Sequence, residues 1–324
     1  MKTVIISVIA AILMIGLKFI DSEPAFQFID QNKYTIVIHG GVGTISKEMP
    51  DSIKQDYLES LSKALTIGKD ILKNGGKSLD VVEQVVKFLE DDPRFNAGKG
   101  AVYTSEGTHE LDASIMDGRD LSCGAVASVK TIKNPISLAR LIMEKTPHVL
   151  LVGEGAENFG KLMNVDIVPN NYFDTPRRFE QWQKSINQEI KGTVSCVALD
   201  IYGNLAAATS TGGVVNKMPG RVGDTPIIGA GTYANNETSA VSCSGKGELF
   251  IKHGVAYSVS ALMKDKNYSL KDAAEEMIHK KIIQGDGGLI AVDKDGNYVM
   301  VYNTNGMFRG VANSEGKFEI KIWE

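Results

Sequence analysis

Gly192-Thr193-Val194 places a hydroxyl nucleophile directly after a glycine. Glycine reaches backbone angles closed to other residues, so the Thr193 hydroxyl can approach the carbonyl carbon just upstream of it. A cut at that bond would give Thr193 a free α-amine, whose reference pKa of about 8 suits it to act as base for its own hydroxyl. One residue then supplies both nucleophile and base. Taken alone, the dipeptide is a weak signal, because Gly-Thr before an apolar run such as Val194 to Leu199 usually just opens a β-strand.

Other residues carry matching chemistry. Arg221 and Asp224 stand three apart in a polar loop, Asn216 to Pro226. A guanidinium fork suits a carboxylate and an aspartate suits an ammonium, so the pair could clamp the zwitterionic end of an amino acid, or simply bridge each other. The stretch Ala240 to Glu248 turns through Gly245 and Gly247, where backbone N–H groups and the Ser244 hydroxyl can bind an oxyanion. Asn96, between Phe95 and Ala97-Gly98, either presents its amide to a site or holds a turn. Two glycine-rich stretches are decoys. His39-Gly40-Gly41-Val42-Gly43 lacks the Gly-Lys-Ser/Thr of a phosphate loop, and Gly153-Glu154-Gly155 has Asn158 where a dinucleotide fingerprint needs its third glycine.

The elements that must position these residues follow from periodicity. Tyr34 to Ile38 reads as a buried strand, and helices are predicted over about Asp51 to Leu72 and Ser78 to Glu90. Strands are predicted at Leu111 to Ile115 and Gly124 to Lys130, paired antiparallel through Asp117-Gly118. A helix opens at Asn134-Pro135. The segment 164–192 has no core periodicity and reads as an exposed linker. Beyond it, Val194 to Leu199 and Leu205 to Thr209 form a hairpin that sets Thr193 and Thr211 at neighbouring strand ends. Two later helices, the second capped by Ser269, precede a closing hairpin of Leu289 to Val292 with Tyr298 to Tyr302.

With 324 residues, 43% hydrophobic and 23% charged content and a net charge of −4, the bulk of the chain has an ordinary globular composition and no nucleic-acid footprint. Residues 1–25 differ: Lys2 precedes an apolar or small run from Thr3 to Leu17, the anatomy of a signal peptide or, if uncleaved, an N-terminal anchor. The globular part is therefore expected to be exported. Three scattered cysteines and five histidines make neither a disulfide framework nor a metal-ligand set, which disfavours a metal-dependent hydrolase.

The motifs in order, His39 to Gly43, Phe95-Asn96-Ala97-Gly98, Gly192-Thr193-Val194, Thr209 to Gly213, Gly220 to Pro226 and Gly245 to Glu248, resemble the plant-type L-asparaginase / isoaspartyl peptidase family, whose relatives include the glycosylasparaginases. The resemblance implies an N-terminal nucleophile hydrolase: an α/β (α+β), four-layer αββα sandwich with two mainly antiparallel sheets. It implies a single domain, 34–324, self-cleaved into an α chain ending at Gly192 and a β chain, 193–324, usually assembled as a homodimer of αβ units. Carried over by position, Thr193 is the nucleophile and Thr211 orients it. Arg221 holds the substrate α-carboxylate, Asp224 its α-amino group, and Gly247 lines the pocket. Ser244 and the Gly245 N–H form the oxyanion hole, supported by Asn96. Ser244 stands where the family commonly has threonine, so the hydroxyl is kept but its rotamer is less restricted.

The resemblance also implies that the loop Leu89 to Phe95 can hold a structural sodium ion through backbone carbonyls, with no other cofactor. The implied substrate is a small molecule or dipeptide, asparagine or a β-aspartyl peptide. Two alternatives stand beside this reading. One is glycosylasparaginase activity, which export favours but Gly192 opposes, since that branch typically has an acidic residue there. The other is a secreted binding protein that kept the fold and lost catalysis.

Overall fold

Strand parity builds the molecule. In the computed structural model, which describes residues 33–43, 45–184 and 192–324, strand β1 (Thr35–Gly43) sends Ile36 and Ile38 to one face and Val37 to the other. The same alternation splits β5 (Val194–Leu199) into Cys196 and Ala198 against Val197 and Leu199. Both faces of these strands are therefore apolar, and each is covered.

One face packs on helices α1 (Asp51–Lys73), α2 (Ser78–Asp91) and α3 (Pro135–Lys145), whose Leu61, Leu65, Val82, Val86 and Ile136 join Ile36, Ile38 and Ala208 in one core. The other face meets a second sheet, with Val37, Val197 and Ala207 against Ile290 and Val292. That second sheet sends Val241 and Leu289 outward onto Val259, Ala273 and Ile278, so four layers result.

The large sheet has eight strands in the order β12-β11-β1-β5-β6-β2-β3-β4. Its further members are β2 (Leu111–Asp117), β3 (Cys123–Val129), β4 (Leu150–Val152), β6 (Leu205–Thr211), β11 (Gly306–Asn313) and β12 (Phe318–Lys321). Among the described strands of this sheet, only β3 with β4 is a parallel pair. The small sheet, in the order β10-β9-β8-β7, is antiparallel throughout and comprises β7 (Thr232–Ala234), β8 (Ser239–Gly245), β9 (Gly287–Asp293) and β10 (Tyr298–Tyr302). Buried hydroxyls tie the two sheets together: Thr209 Oγ1 lies 2.6 Å from Thr232 Oγ1 and 2.7 Å from Ser242 Oγ. This mixed α/β sandwich is the architecture the resemblance implied.

The segment read as a linker needs correction over part of its length. A 3-10 turn, Asn170–Phe173, and helix α5 (Pro176–Lys184, after α4, Gly153–Leu162) lie within it, with Phe173 and Arg178 buried. Arg178 Nε donates to the Gly100 carbonyl at 2.5 Å, and Trp182 stacks on Tyr103 with ring centroids 5.4 Å apart. The polar composition hid an amphipathic helix whose inward face is the buried Arg178 and the half-buried ring of Trp182. The rest of that segment, 185–191, and the expected leader, 1–25, lie outside the described residues. Among the described residues no helix is long and apolar enough to cross a membrane.

Candidate active site

Thr193 directly precedes β5, and Thr211 ends β6; the register pairs Val194 with Ser210, which brings the two threonines side by side. Both share the strand parity of Val197 and Ala207, so their side chains enter the layer between the sheets. The Thr193 hydroxyl donates to Thr211 Oγ1 at 3.4 Å. Thr211 Oγ1 in turn donates to the Gly192 carbonyl at 2.8 Å and accepts from the Gly213 N–H at 2.9 Å. A second donor, Asn96 Nδ2, reaches the same Gly192 oxygen at 2.8 Å. The Asn96 amide is locked: Nδ2 also donates to the Gly213 carbonyl at 2.6 Å, and Oδ1 accepts from the Val102 N–H at 3.0 Å. The carbonyl upstream of Thr193 is thus gripped by two fixed donors, the arrangement that stabilises an oxyanion.

The glycine loop after β1 completes this end. At Gly41, φ is +111°, and a Cβ would stand 3.1 Å from Gly192 Cα and 3.2 Å from the Thr193 nitrogen. Only glycine lets the loop come so close. The next residue, Val42, donates its N–H toward Ser244 Oγ at 3.4 Å, so one loop touches both Thr193 and the candidate oxyanion serine. Ser244 is fully buried near the end of β8, and Gly245 has φ +153° where a Cβ would run into the Asp286 carbonyl.

A second group lies around the Arg221 loop. Arg221 makes a two-pronged pair with Glu248, 3.0 and 3.1 Å, at the start of helix α6 (Gly247–His253). Asp224 is buried, with Oδ2 unpartnered among the described residues. Burial pushes its carboxyl up to about 7, opposed by the nearby Arg221 guanidinium and reinforced by Glu248 and Asp112. A Cβ on Gly247 would lie 2.8 Å from the Asp224 nitrogen and 2.9 Å from its Oδ1, so only glycine fits against buried Asp224 there. Gly213 joins the two groups: the position of its absent Cβ is 3.4 Å from Arg221 Nη1, and its N–H binds Thr211. The candidate site residues therefore form two groups, one around Gly192, Thr193, Thr211, Asn96 and Ser244 and one around Arg221, Asp224 and Gly247, bridged by Gly213. Direct hydrogen bonds connect Gly192, Thr193, Thr211 and Asn96.

Sequence reasoning gave three residues here no role. Fully buried His39 donates from Nδ1 to the Thr193 carbonyl at 3.0 Å, and burial lowers its pKa to about 4, so the ring is neutral. Asp112 faces Thr211 across β2 and β6, and Lys217, also buried, donates to the Glu110 carbonyl at 2.8 Å. The available signal was a charged residue inside an apolar strand, Leu111-Asp112-Ala113. For the sodium expected at Leu89 to Phe95, the carbonyl oxygens of Glu90, Pro93 and Phe95 crowd the positions of absent Cβ atoms at Gly98 and Gly100.

A family model described as asparaginase matches residues 32–322. The chain belongs to the isoaspartyl peptidase/L-asparaginase family. It is 48% identical over 296 residues to the isoaspartyl peptidase of Salmonella typhimurium, covering 86% of this chain and 95% of that protein. It is 47% identical to the isoaspartyl peptidase of Escherichia coli, covering 86% of this chain and 92% of that protein. With the isoaspartyl peptidase/L-asparaginase of Homo sapiens it shares 43% identity over 299 residues, 89% of this chain and 95% of that protein.

Proposed function

We propose that this chain cuts itself between Gly192 and Thr193 and then acts as a threonine amidohydrolase that releases aspartate from β-aspartyl peptides and from L-asparagine. The observation that carries the reading is the Gly192 carbonyl, held by Asn96 and Thr211 with the Thr193 hydroxyl beside it. Names of relatives sharing nearly half their residues with this chain support the substrate class.

In the cut, Thr193 Oγ attacks the Gly192 carbonyl carbon and passes its proton by way of Thr211 toward the Thr193 nitrogen. The negative oxygen forms where two donors already point. The C–N bond breaks to leave an ester, and water hydrolyses it, giving a Gly192 carboxylate and a free Thr193 amine. In turnover that amine takes the Oγ proton while Oγ attacks the side-chain carbonyl carbon of the substrate. The Ser244 hydroxyl and Gly245 N–H receive the oxyanion, and the amine returns the proton to the departing nitrogen. Water then releases aspartate from the acyl-enzyme. Arg221 takes the substrate α-carboxylate in exchange for Glu248, and the unpartnered Asp224 oxygen takes the α-ammonium.

Denaturing electrophoresis with N-terminal sequencing tests this. The wild type should give two fragments, the second starting at Thr193, and Thr193→Ala should stay whole and inactive. A wild-type chain that remains one band on long incubation overturns the reading.

A further inference from the structure

The loop that carries Arg221 has an exposed tip. Met218 is 75% exposed, a Cβ on Gly220 would meet nothing within 4 Å, and the Arg221 N–H closes a turn on the Met218 carbonyl at 3.0 Å. Little packs against this tip, so its ties to the body of the protein decide where the guanidinium stands. Glu248 holds the guanidinium at rest, but it lets go when a substrate α-carboxylate takes its place.

Two of the ties end on one residue, Glu110, which is buried directly before β2. At the downstream end of the turn, Glu110 Oε2 accepts from the Gly220 N–H at 2.8 Å, one residue before Arg221. At the upstream end, the Glu110 carbonyl accepts from Nζ of buried Lys217, also at 2.8 Å. The upstream end has further support: Ser105 donates its N–H to the Lys217 carbonyl at 2.8 Å, and Asn216 donates to the Tyr103 carbonyl at 2.9 Å. The carboxylate of Glu110 is therefore what secures the end nearer Arg221.

A carboxylate is costly to bury unless it is paired and hydrogen-bonded. This one is both, since Oε1 lies 3.3 Å from Lys130 Nζ while Oε2 holds Gly220. A charge-assisted bond of that kind is about twice as strong as a neutral one. The same bracket reaches the threonine pair. Lys217 Nζ stands 3.1 Å, and Arg221 Nη1 3.4 Å, from the position of the absent Cβ at Gly213, whose N–H binds Thr211 Oγ1.

We propose that Glu110 is a positioning residue for the substrate α-carboxylate. Its carboxylate holds Gly220 and its carbonyl holds Lys217, so the loop keeps Arg221 in place while Glu248 is exchanged for substrate. Without the Glu110 side chain the guanidinium stays charged but spreads over many positions. Binding must then order it first, which weakens affinity and leaves the chemical step at Thr193 alone. The inference rests on the amidohydrolase reading above and deepens it.

The test is a double-mutant cycle on kcat/KM for β-aspartyl-leucine, using wild type, Glu110→Ala, Arg221→Ala and the double variant, each after self-cleavage. With Arg221 present, Glu110→Ala should lower kcat/KM about tenfold through KM, the factor expected for one charge-assisted hydrogen bond, while self-cleavage keeps the wild-type rate. In the Arg221→Ala background the same substitution should change kcat/KM by less than about twofold, because Glu110 acts through that guanidinium. Glu110→Gln, whose amide oxygen still accepts from Gly220, should recover to within about threefold of wild type. If Glu110→Ala does not fold, Lys217→Met, which keeps the buried stem and drops the ammonium, enters the same cycle with the same expectation. A wild-type KM in the substituted enzyme, or an equal loss in both Arg221 backgrounds, overturns the positioning role. A wild type that neither cuts itself nor hydrolyses the dipeptide overturns the amidohydrolase reading and this inference with it, so the two failures are distinct.

Discussion

Replacing Asn96 by aspartate isolates the donor that grips the Gly192 carbonyl. The substitution keeps the shape and keeps an oxygen where Oδ1 accepts from the Val102 N–H. It turns Nδ2, which donates at 2.8 Å to the Gly192 oxygen and at 2.6 Å to the Gly213 oxygen, into an acceptor facing two acceptors. Loss of one preorganised oxyanion donor costs about 2.7–4 kcal/mol of barrier, so self-cleavage at pH 8 should slow by about 10²- to 10³-fold. The Gly213 carbonyl, left without this donor, costs about 1–3 kcal/mol of stability, a fall in Tm of several degrees that a chain with typical stability tolerates. Below the pKa of the new carboxyl, its own O–H can donate again, and cleavage should partly recover. The assay is a time course of fragment appearance on denaturing gels at pH 5 and pH 8, with thermal denaturation as the control for folding. A folded Asn96→Asp protein that matures at the wild-type rate at pH 8 would refute the assignment of the Gly192 carbonyl as the gripped, reacting group.

Two further predictions concern the partners of that centre. Because burial sets the Asp224 carboxyl at about 7, it is ionised above that pH and neutral below it, so its hold on an ammonium should fade as the pH drops. The inhibition constant of the product L-aspartate should rise up to about tenfold per unit below pH 7; a constant value between pH 5.5 and 8 would show that Asp224 does not bind the amine. His39 acts on Thr193 through Nδ1, a position that an asparagine amide nitrogen reaches and a glutamine nitrogen, matching Nε2, does not. His39→Asn should therefore mature and turn over within a few-fold of wild type while His39→Gln falls at least about tenfold, and the opposite order would mean that the ring matters for packing alone.

Much of the centre was legible because its chemistry depends on local spacing. The Thr193/Thr211 pairing follows from two strands and a turn of known length, and Arg221 with Asp224 from one loop. What escaped depends on long-range registry. His39 reaches Thr193 because β1 lies against β5, a contact across 154 positions that no local pattern encodes. Glu248, quoted within a glycine motif, is the resting partner of Arg221 only because α6 starts beside the loop. Strands β11 and β12 and helix α5 were missed for different reasons: β11 is interrupted by glycine and arginine, β12 is an exposed edge, and α5 has almost no aliphatic face.

The strand order gives the cut an unusual mechanical meaning. In β12-β11-β1-β5-β6-β2-β3-β4, β1 from before Gly192 is hydrogen-bonded on both sides by strands from after it, and β6 is held between β5 and β2. The two pieces are therefore woven, and breaking one peptide bond releases neither. What the bond supplies is proximity during folding, when β1 and β5 must find each other as parts of one chain. After cleavage that help is gone, and a mature molecule that unfolds must reassemble as two chains at the prevailing concentration. Its persistence then depends on how slowly the weave opens, a matter of rate more than of equilibrium. With the cut proposed above, the bond at Gly192-Thr193 is a scaffold used once: it guides assembly, and its removal frees the Thr193 amine and commits the fold.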